Sequence, residues 1–275
     1  MILVTGATGN VGAEVVAAAL AAGAPVRALV RDDSSRPPAG AERAVGDLNQ
    51  PDSLTGALAG ADRLFLMSGY RDAPRFLALA RQAGVQRVAL LSGGAAVAAR
   101  VDNPISQYML GTEQAVRESG LAWTILRPYE FMSNALRWTG QLGQGDVVRA
   151  PFASIPVAVI DPRDIAAAAV AALLGDGHGG RVYRLSGPDQ LLPAQRLEIL
   201  GTALGRSLRL IPQTDEEARQ EMLASMPAEY VDAFFQFYPG GTLDEATVLP
   251  TVTEVTGRPA GTFKEWVTAH AGRFG

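Results

Sequence analysis

Cysteine is absent from the sequence, which removes disulfides, thiolate nucleophiles and thiolate metal ligands together. Lysine is nearly absent: Lys264 is the only one, so any mechanism needing an ammonium group must use it or be discarded. His178 and His270 are the only histidines, and their wide separation argues against a metal site or a catalytic triad. No P-loop or nucleophile-elbow spacing occurs. The net charge of −4 provides no basic excess of the kind nucleic-acid binders carry. Long apolar runs are missing too. The stretch AEVVAAALAAGA is interrupted by Glu14 and too short to span a bilayer, and no basic leader precedes the first apolar run. A cytoplasmic protein with neither nucleic-acid nor membrane partner is therefore expected. What is present, 275 residues with 48% hydrophobic and 19% charged content, suffices for a large α/β globule.

Short β-branched or leucine-rich runs at 2–5, 26–30, 43–45, 64–67, 88–92 and 123–126 read as strands. Alanine-rich helical patterns separate them at 11–22, 51–59, 73–83 and 105–118, the last stopped by Gly120. Strands apolar on both faces, alternating with helices, predict a Rossmann-type doubly wound parallel sheet. Further along, 156–160 and 182–185 read as strands and 161–175 as a helix capped by Asp161, with Asp164 adding favourable first-turn charge. Helices then dominate at 193–204, 215–224, 227–237 and 262–271. The expected division is a dinucleotide-binding domain of residues 1–127 plus 151–186, and a smaller, mostly helical substrate lobe of 128–150 plus 187–275 over the sheet's C-terminal edge.

The stretch TGATGNVG sits between the first strand and the first helix. Gly6, Gly9 and Gly12 permit a tight turn, close approach of a pyrophosphate and close helix packing, and the helix N-terminus supplies N–H donors. Thr8, Asn10 and Val11 complete the expected contact surface. The residue at the tip of the second strand, about 20 positions on, decides ribose recognition. Arg31 stands there and suits the 2′-phosphate of NADP, so NADP(H) is expected over NAD(H), although Asp32 and Asp33 follow and either can turn toward a ribose. Asp47 and Leu48 end the third strand, where adenine should lie. Met67, Ser68 and Gly69, like Ser92 with Gly93 and Gly94, end strands at the ligand-holding edge of the sheet.

Taken together, TGATGNVG, VRD, GDL, SGLAWTILRPYEFMSN and VIDPRDIAAAAVAALL resemble the NmrA-like group of atypical short-chain dehydrogenase/reductases, which includes NADPH:quinone oxidoreductases and redox-sensing regulators. TVTEVTGRPAGTFKEWVTAHA fits that group's C-terminal segment. The resemblance implies that Pro128 to Phe131 pass beside the nicotinamide and that Asn134 faces the substrate. One departure matters. Alcohol-oxidising relatives carry Tyr-x-x-x-Lys on the helix after the fifth strand, where the ammonium lowers the phenol pKa from about 10. Here Tyr108 is followed four residues on by Thr112, a neutral group.

Reduction of a quinone or similar conjugated carbonyl needs less help, because the acceptor is already electrophilic. Tyr129, then Tyr108, then Ser92 are the expected proton donors. The aromatic run FFQFY (234–238), with Tyr230 one turn earlier, reads either as core or as a lid, Phe234 included, facing Phe131, Met132 and Trp138 across a flat apolar substrate. The expected function is an NADPH-dependent reductase of a planar aromatic or quinone-like small molecule. A non-catalytic dinucleotide sensor and, more weakly, an epimerase are the alternatives, and a homo-oligomer is compatible with the sequence.

Overall fold

The computed structural model covers residues 1–32, 34–98 and 102–274. Strand and helix alternate as β1 (Ile2–Val4), α1 (Gly12–Ala21), β2 (Val26–Val30), β3 (Glu42–Val45), a 3-10 turn at Pro51–Leu54 leading into α2 (Thr55–Leu58), β4 (Arg63–Met67), α3 (Ala73–Gln82), β5 (Arg87–Leu91), α4 (Pro104–Glu118) and β6 (Ala122–Pro128). After a 3-10 segment at Met132–Trp138 come α5 (Thr139–Leu142), β7 (Val147–Ala150), α6 (Pro162–Leu174), β8 (Arg181–Leu185), α7 (Pro193–Leu204) and β9 (Arg209–Pro212). The chain closes with α8 (Asp215–Leu223), α9 (Ala228–Phe237), α10 (Thr251–Thr256) and α11 (Phe263–His270).

Seven strands form one parallel sheet in the order β3-β2-β1-β4-β5-β6-β8. The order reverses between β1 and β4, which creates the crevice where such sheets hold dinucleotides. Alternate residues of each strand feed opposite faces. Ile2, Val4, Ala28 and Phe65 pack beneath α1 and α6, whereas Leu3, Leu29, Leu64 and Leu66 pack beneath the helices of the other side. Both faces are thus buried, as the uninterrupted apolar runs require.

Helix starts follow local chemistry. Asp72, Asn103 and Asp161 accept from the backbone N–H of Arg75, of Ile105 and Ser106, and of Arg163, and each is followed by proline in the first turn of α3, α4 or α6. Gly120 (φ +74°) ends α4 in the left-handed conformation expected of it. Asp164 does more than add charge. Its carboxylate accepts from the Gly261 N–H at 2.8 Å and pairs with Arg258 at 2.9 Å, tying α6 to the C-terminal segment.

One expectation is corrected: residues 156–160 form no strand, and Val157 and Ile160 make single bridges to Leu191 and Phe131. The mostly helical lobe also carries a small second sheet, in which β7 and β9 pair in parallel. Its core gathers Met132, Trp138, Val148, Leu200, Phe263 and Trp266. Helix α9 packs Ala233 and Phe237 on Ala95, in the turn after β5, and on Ile105 of α4. Among the described residues no helix is long and apolar enough to cross a membrane.

Candidate active site

The three glycines of the opening loop have separate steric reasons. Gly6 adopts φ +61°, and a side chain there would overlap the Met67 sulfur. A Cβ at Gly12 would overlap the Gly6 carbonyl, so α1 sits directly on the turn. At Gly9 an added Cβ would meet only the Gly6 oxygen, at 3.3 Å, leaving the outer surface of the loop bare. Unlike α3, α4 and α6, helix α1 has no side chain capping its N-terminus, where Val11 stands. Thr8, Gly9 and Asn10 are exposed there and border a recess of about 210 Å³ whose far wall includes Asp161 and His270. A bare glycine loop ahead of an uncapped helix fits a pyrophosphate, so these residues fit a dinucleotide cofactor.

Arg31 is exposed just beyond β2. Asp32 is turned onto its own loop, its Oδ1 accepting from the N–H groups of Ser34 and Ser35, each at 3.0 Å. Asp33 lies outside the described residues. Asp47 holds its own turn by accepting from the Asn49 N–H at 2.8 Å, and Leu48 is buried in the core beneath that turn. At the end of β4, Met67 lies under Gly6, the Ser68 hydroxyl donates to the Leu91 carbonyl at 2.9 Å, and Gly69 adopts φ +102° beside the ring of Tyr108. Pro128 is buried at the end of β6, and Phe131 packs on the main core while bridging to Ile160.

The three expected proton donors are differently placed. Tyr129 is 1% exposed, and its hydroxyl accepts from Arg184 Nη2 at 2.7 Å. Burial, partly offset by that guanidinium, raises its phenol above the ordinary range. Ser92 is buried and donates its hydroxyl to Glu113 Oε1 at 2.7 Å. Tyr108 is partly exposed; burial, with Tyr230 adding to it, raises its phenol. None of the three borders the large cavity described next.

That cavity, about 500 Å³, lies between the segment after β6 and helices α8 and α9. Asn134, Trp138 and Phe234, three of the residues expected to contact substrate, line it together with Phe152 and Tyr238. Met132 does not; it is fully buried in the lobe core, where its methyl group lies near Gly187. Phe234 and Tyr238 stack with an interplanar angle of 4°, and Phe152 meets Phe235 edge-on at 5.2 Å. Phe152 has φ +52°, a strained conformation for a bulky residue, and it sits in the cavity wall. The FFQFY run therefore serves both readings, with Phe237 in the core and Phe234 and Tyr238 at the cavity.

Sequence reading misses several charged residues here. Arg137, Arg149 and Arg196 line the cavity beside Glu130 and Glu221. Arg196 is buried, pairs with Glu130 at 3.1 Å and lies over the Trp138 ring. Glu113, fully buried, accepts from Arg127 Nε at 2.8 Å and Nη2 at 2.6 Å, and from Arg117 at 3.0 Å. Burial opposes its charge, yet the bonds from Arg127 and Ser92 prevail and hold its carboxyl below the usual range. Glu245, 7% exposed, is buried between the ends of β5 and β6. Among the described residues no group of acidic and histidine side chains is placed to hold a metal ion.

Residues 6–176 match the family described as NAD(P)H-binding. The chain is 42% identical to a (4-alkanoyl-5-oxo-2,5-dihydrofuran-3-yl)methyl phosphate reductase of Streptomyces griseus, over 100% of this chain and 99% of that protein. It is 37% identical to an NAD(P)H azoreductase of Xenophilus azovorans, over 100% and 99%. Among solved structures, the NADPH complex of an NADPH-dependent quinone oxidoreductase from Escherichia coli shares the fold with a TM-score of 0.78 at 23% identity, over 98% of this chain and 99% of that one.

Proposed function

The chain belongs to the NAD(P)H-binding family, and on that premise we propose that it is an NADPH-dependent reductase of a planar, conjugated carbonyl compound such as a quinone or an unsaturated lactone. The observation that carries this reading is the aromatic cavity opening onto the segment after β6, on the side of the sheet opposite the adenine half of the crevice. Gly6, Thr8, Gly9, Asn10, Val11 and Gly12 would hold the pyrophosphate, Met67, Ser68 and Gly69 the middle of the dinucleotide, and Pro128 to Phe131 the nicotinamide end. When bound, the cofactor supplies a hydride. Arg31 would clamp the 2′-phosphate, an assignment supported by Asp32 being occupied with its own turn.

The protein's share of the work is alignment and exclusion of water. Phe234, Tyr238 and Trp138 offer flat faces to the acceptor, and Asn134 offers an amide to a carbonyl oxygen. Of the three arginines of the cavity, Arg196 is paired with Glu130 and Arg149 with Glu217, so Arg137 is the one that favours an acceptor bearing an anionic group. The phosphate in the name of the Streptomyces griseus relative's substrate agrees with that preference, as does its conjugated oxo-dihydrofuran ring. Purified protein mixed with NADPH and a panel of quinones, azo dyes and unsaturated lactones, followed by absorbance of the reduced cofactor, tests the reading. Turnover of at least one class is expected. Tight NADPH binding without turnover of any acceptor would instead favour the sensor role.

A further inference from the structure

Hydride reduction of a conjugated carbonyl leaves negative charge on oxygen, and that oxygen needs a proton. Ser92 already gives its proton to Glu113, and burial raises the phenols of Tyr129 and Tyr108, which makes them weaker acids than usual. One acidic group does occupy the right corner. The Glu245 carboxyl packs against Gly94: a Cβ added there would lie 2.5 Å from Glu245 Oε1 and 3.5 Å from the Pro128 carbonyl. It therefore fills the angle between the loops that end β5 and β6, where the topology places the reactive end of the dinucleotide. Its backbone is anchored there, the Glu245 carbonyl accepting from the Ala158 N–H at 2.7 Å. Gly94 is glycine at a position where any side chain would displace this carboxyl.

We propose that Glu245 is the proton donor of the reaction, its carboxylic acid hydrogen-bonding to the acceptor oxygen that gains charge. The proposal rests on the reductase reading given above. In the step, the acceptor takes up the hydride and its electron pair while the reduced cofactor is oxidised. The Glu245 O–H bond breaks as the new O–H bond to the acceptor forms, and a proton from water restores the acid afterwards. Phe234 and Tyr238 hold the acceptor on the cavity side.

The surroundings keep the acid in its donor form. Burial is the largest influence, and Glu130, from the loop after β6, adds repulsion; together they push Glu245 up to about 8. The Glu130 N–H and Arg184, on β8, act the other way, and the neighbouring Asp244 reinforces the rise. The phenols of Tyr129, at the end of β6, and Tyr238, after α9, also face it, both raised and neutral. Glu130 itself is committed to Arg196. Among the described residues no arginine forms an ion pair with Glu245, and Arg184 only partly offsets the rise. A buried carboxylic acid kept neutral so that it can donate to an oxyanion is an established catalytic arrangement.

Glu245→Gln preserves shape and removes the proton. The expected result is NADPH affinity within about 2-fold of wild type, single-turnover reduction slower by about 100-fold or more, and loss of the alkaline limb of the rate profile. Glu245→Asp should recover part of the rate. Unchanged rate and pH profile in Glu245→Gln, with wild type fully active, would overturn the donor role and leave the reductase reading standing. A wild-type protein that reduces no acceptor would sink both. Infrared spectroscopy supplies a readout independent of turnover. The carbonyl stretch of a protonated carboxyl should be present in wild type near neutral pH and missing from Glu245→Gln. Its absence from wild type would overturn the proposal whatever the rates.

Discussion

Thr112 lies one turn beyond Tyr108 on α4, donates its hydroxyl to the Tyr108 carbonyl at 3.0 Å and accepts from the Gly69 N–H at 3.4 Å. The position that carries lysine in alcohol-oxidising relatives thus fastens a loop of the ligand-binding edge to a helix. Without an ammonium beside it, and with burial raising its phenol, Tyr108 is a poor proton carrier at neutral pH. Tyr108→Phe should change the reduction rate by less than about 3-fold, well short of what loss of a general acid removes. Stopped-flow measurement at saturating NADPH checks this, and a 100-fold loss would reinstate the tyrosine.

The loop glycines should respond unequally to alanine. Gly12→Ala drives a methyl group into the Gly6 carbonyl, so loss of about 2 kcal/mol or more of stability and of measurable NADPH binding is expected. Gly9→Ala meets only one oxygen at 3.3 Å and should fold with nearly wild-type stability while weakening the cofactor. Chemical denaturation and fluorescence titration separate the two effects.

Arg31→Ala should lower affinity for NADPH by about 10- to 100-fold and leave that for NADH within about 2-fold. Calorimetry with both dinucleotides gives the ratio directly. Parallel losses for the two would locate 2′-phosphate recognition elsewhere.

Glu113 binds two arginines and a serine inside the protein, so Glu113→Gln leaves the largely enclosed Arg127 without its counter-charge. The expected cost is about 3–5 kcal/mol. Ser92→Ala, which leaves the ion pair intact, should cost about 1 kcal/mol. Urea denaturation distinguishes a structural role of Ser92 from a catalytic one, since only the latter predicts a rate loss larger than the stability loss.

Glu245 also leaves a signature in stability. Its folded-state value near 8 lies above the ordinary 4.5, so the folded chain holds a proton that the unfolded chain gives up between those pH values. Its stabilising influence is complete in acid and is lost as pH rises toward 8. Glu245→Gln should flatten that decline, with the variant gaining roughly 2–4 kcal/mol relative to wild type across the window. Denaturation midpoints taken across that window should converge toward the acid end.

The main sheet is legible in the sequence because its signals are local: apolar runs such as residues 26–30, capping residues such as Asp161, and the stop at Gly120. The glycine cradle is legible for the same reason. Leu48 is harder to place, since an exposed tip and a buried anchor both suit a leucine after a strand, and here the core takes it. The four-residue strands β7 and β9 escape notice because each gains its partner only across a long stretch of intervening chain. Tyr129 looks available in the sequence and is enclosed by Arg184 and β8 in the fold. Glu245 carries no motif at all, and only the meeting of the ends of β5 and β6 with the segment after α9 gives it a setting.

The strained turn at Phe152 has a bearing on how such a scaffold diversifies. The glycine loop proposed to hold the electron source belongs to the first third of the chain, whereas the walls around Phe152 and Phe234 come from later segments. Exchange of wall residues can therefore change which molecule is reduced while the redox currency stays fixed. Selection for new acceptors is free to work on one half of the molecule at a time.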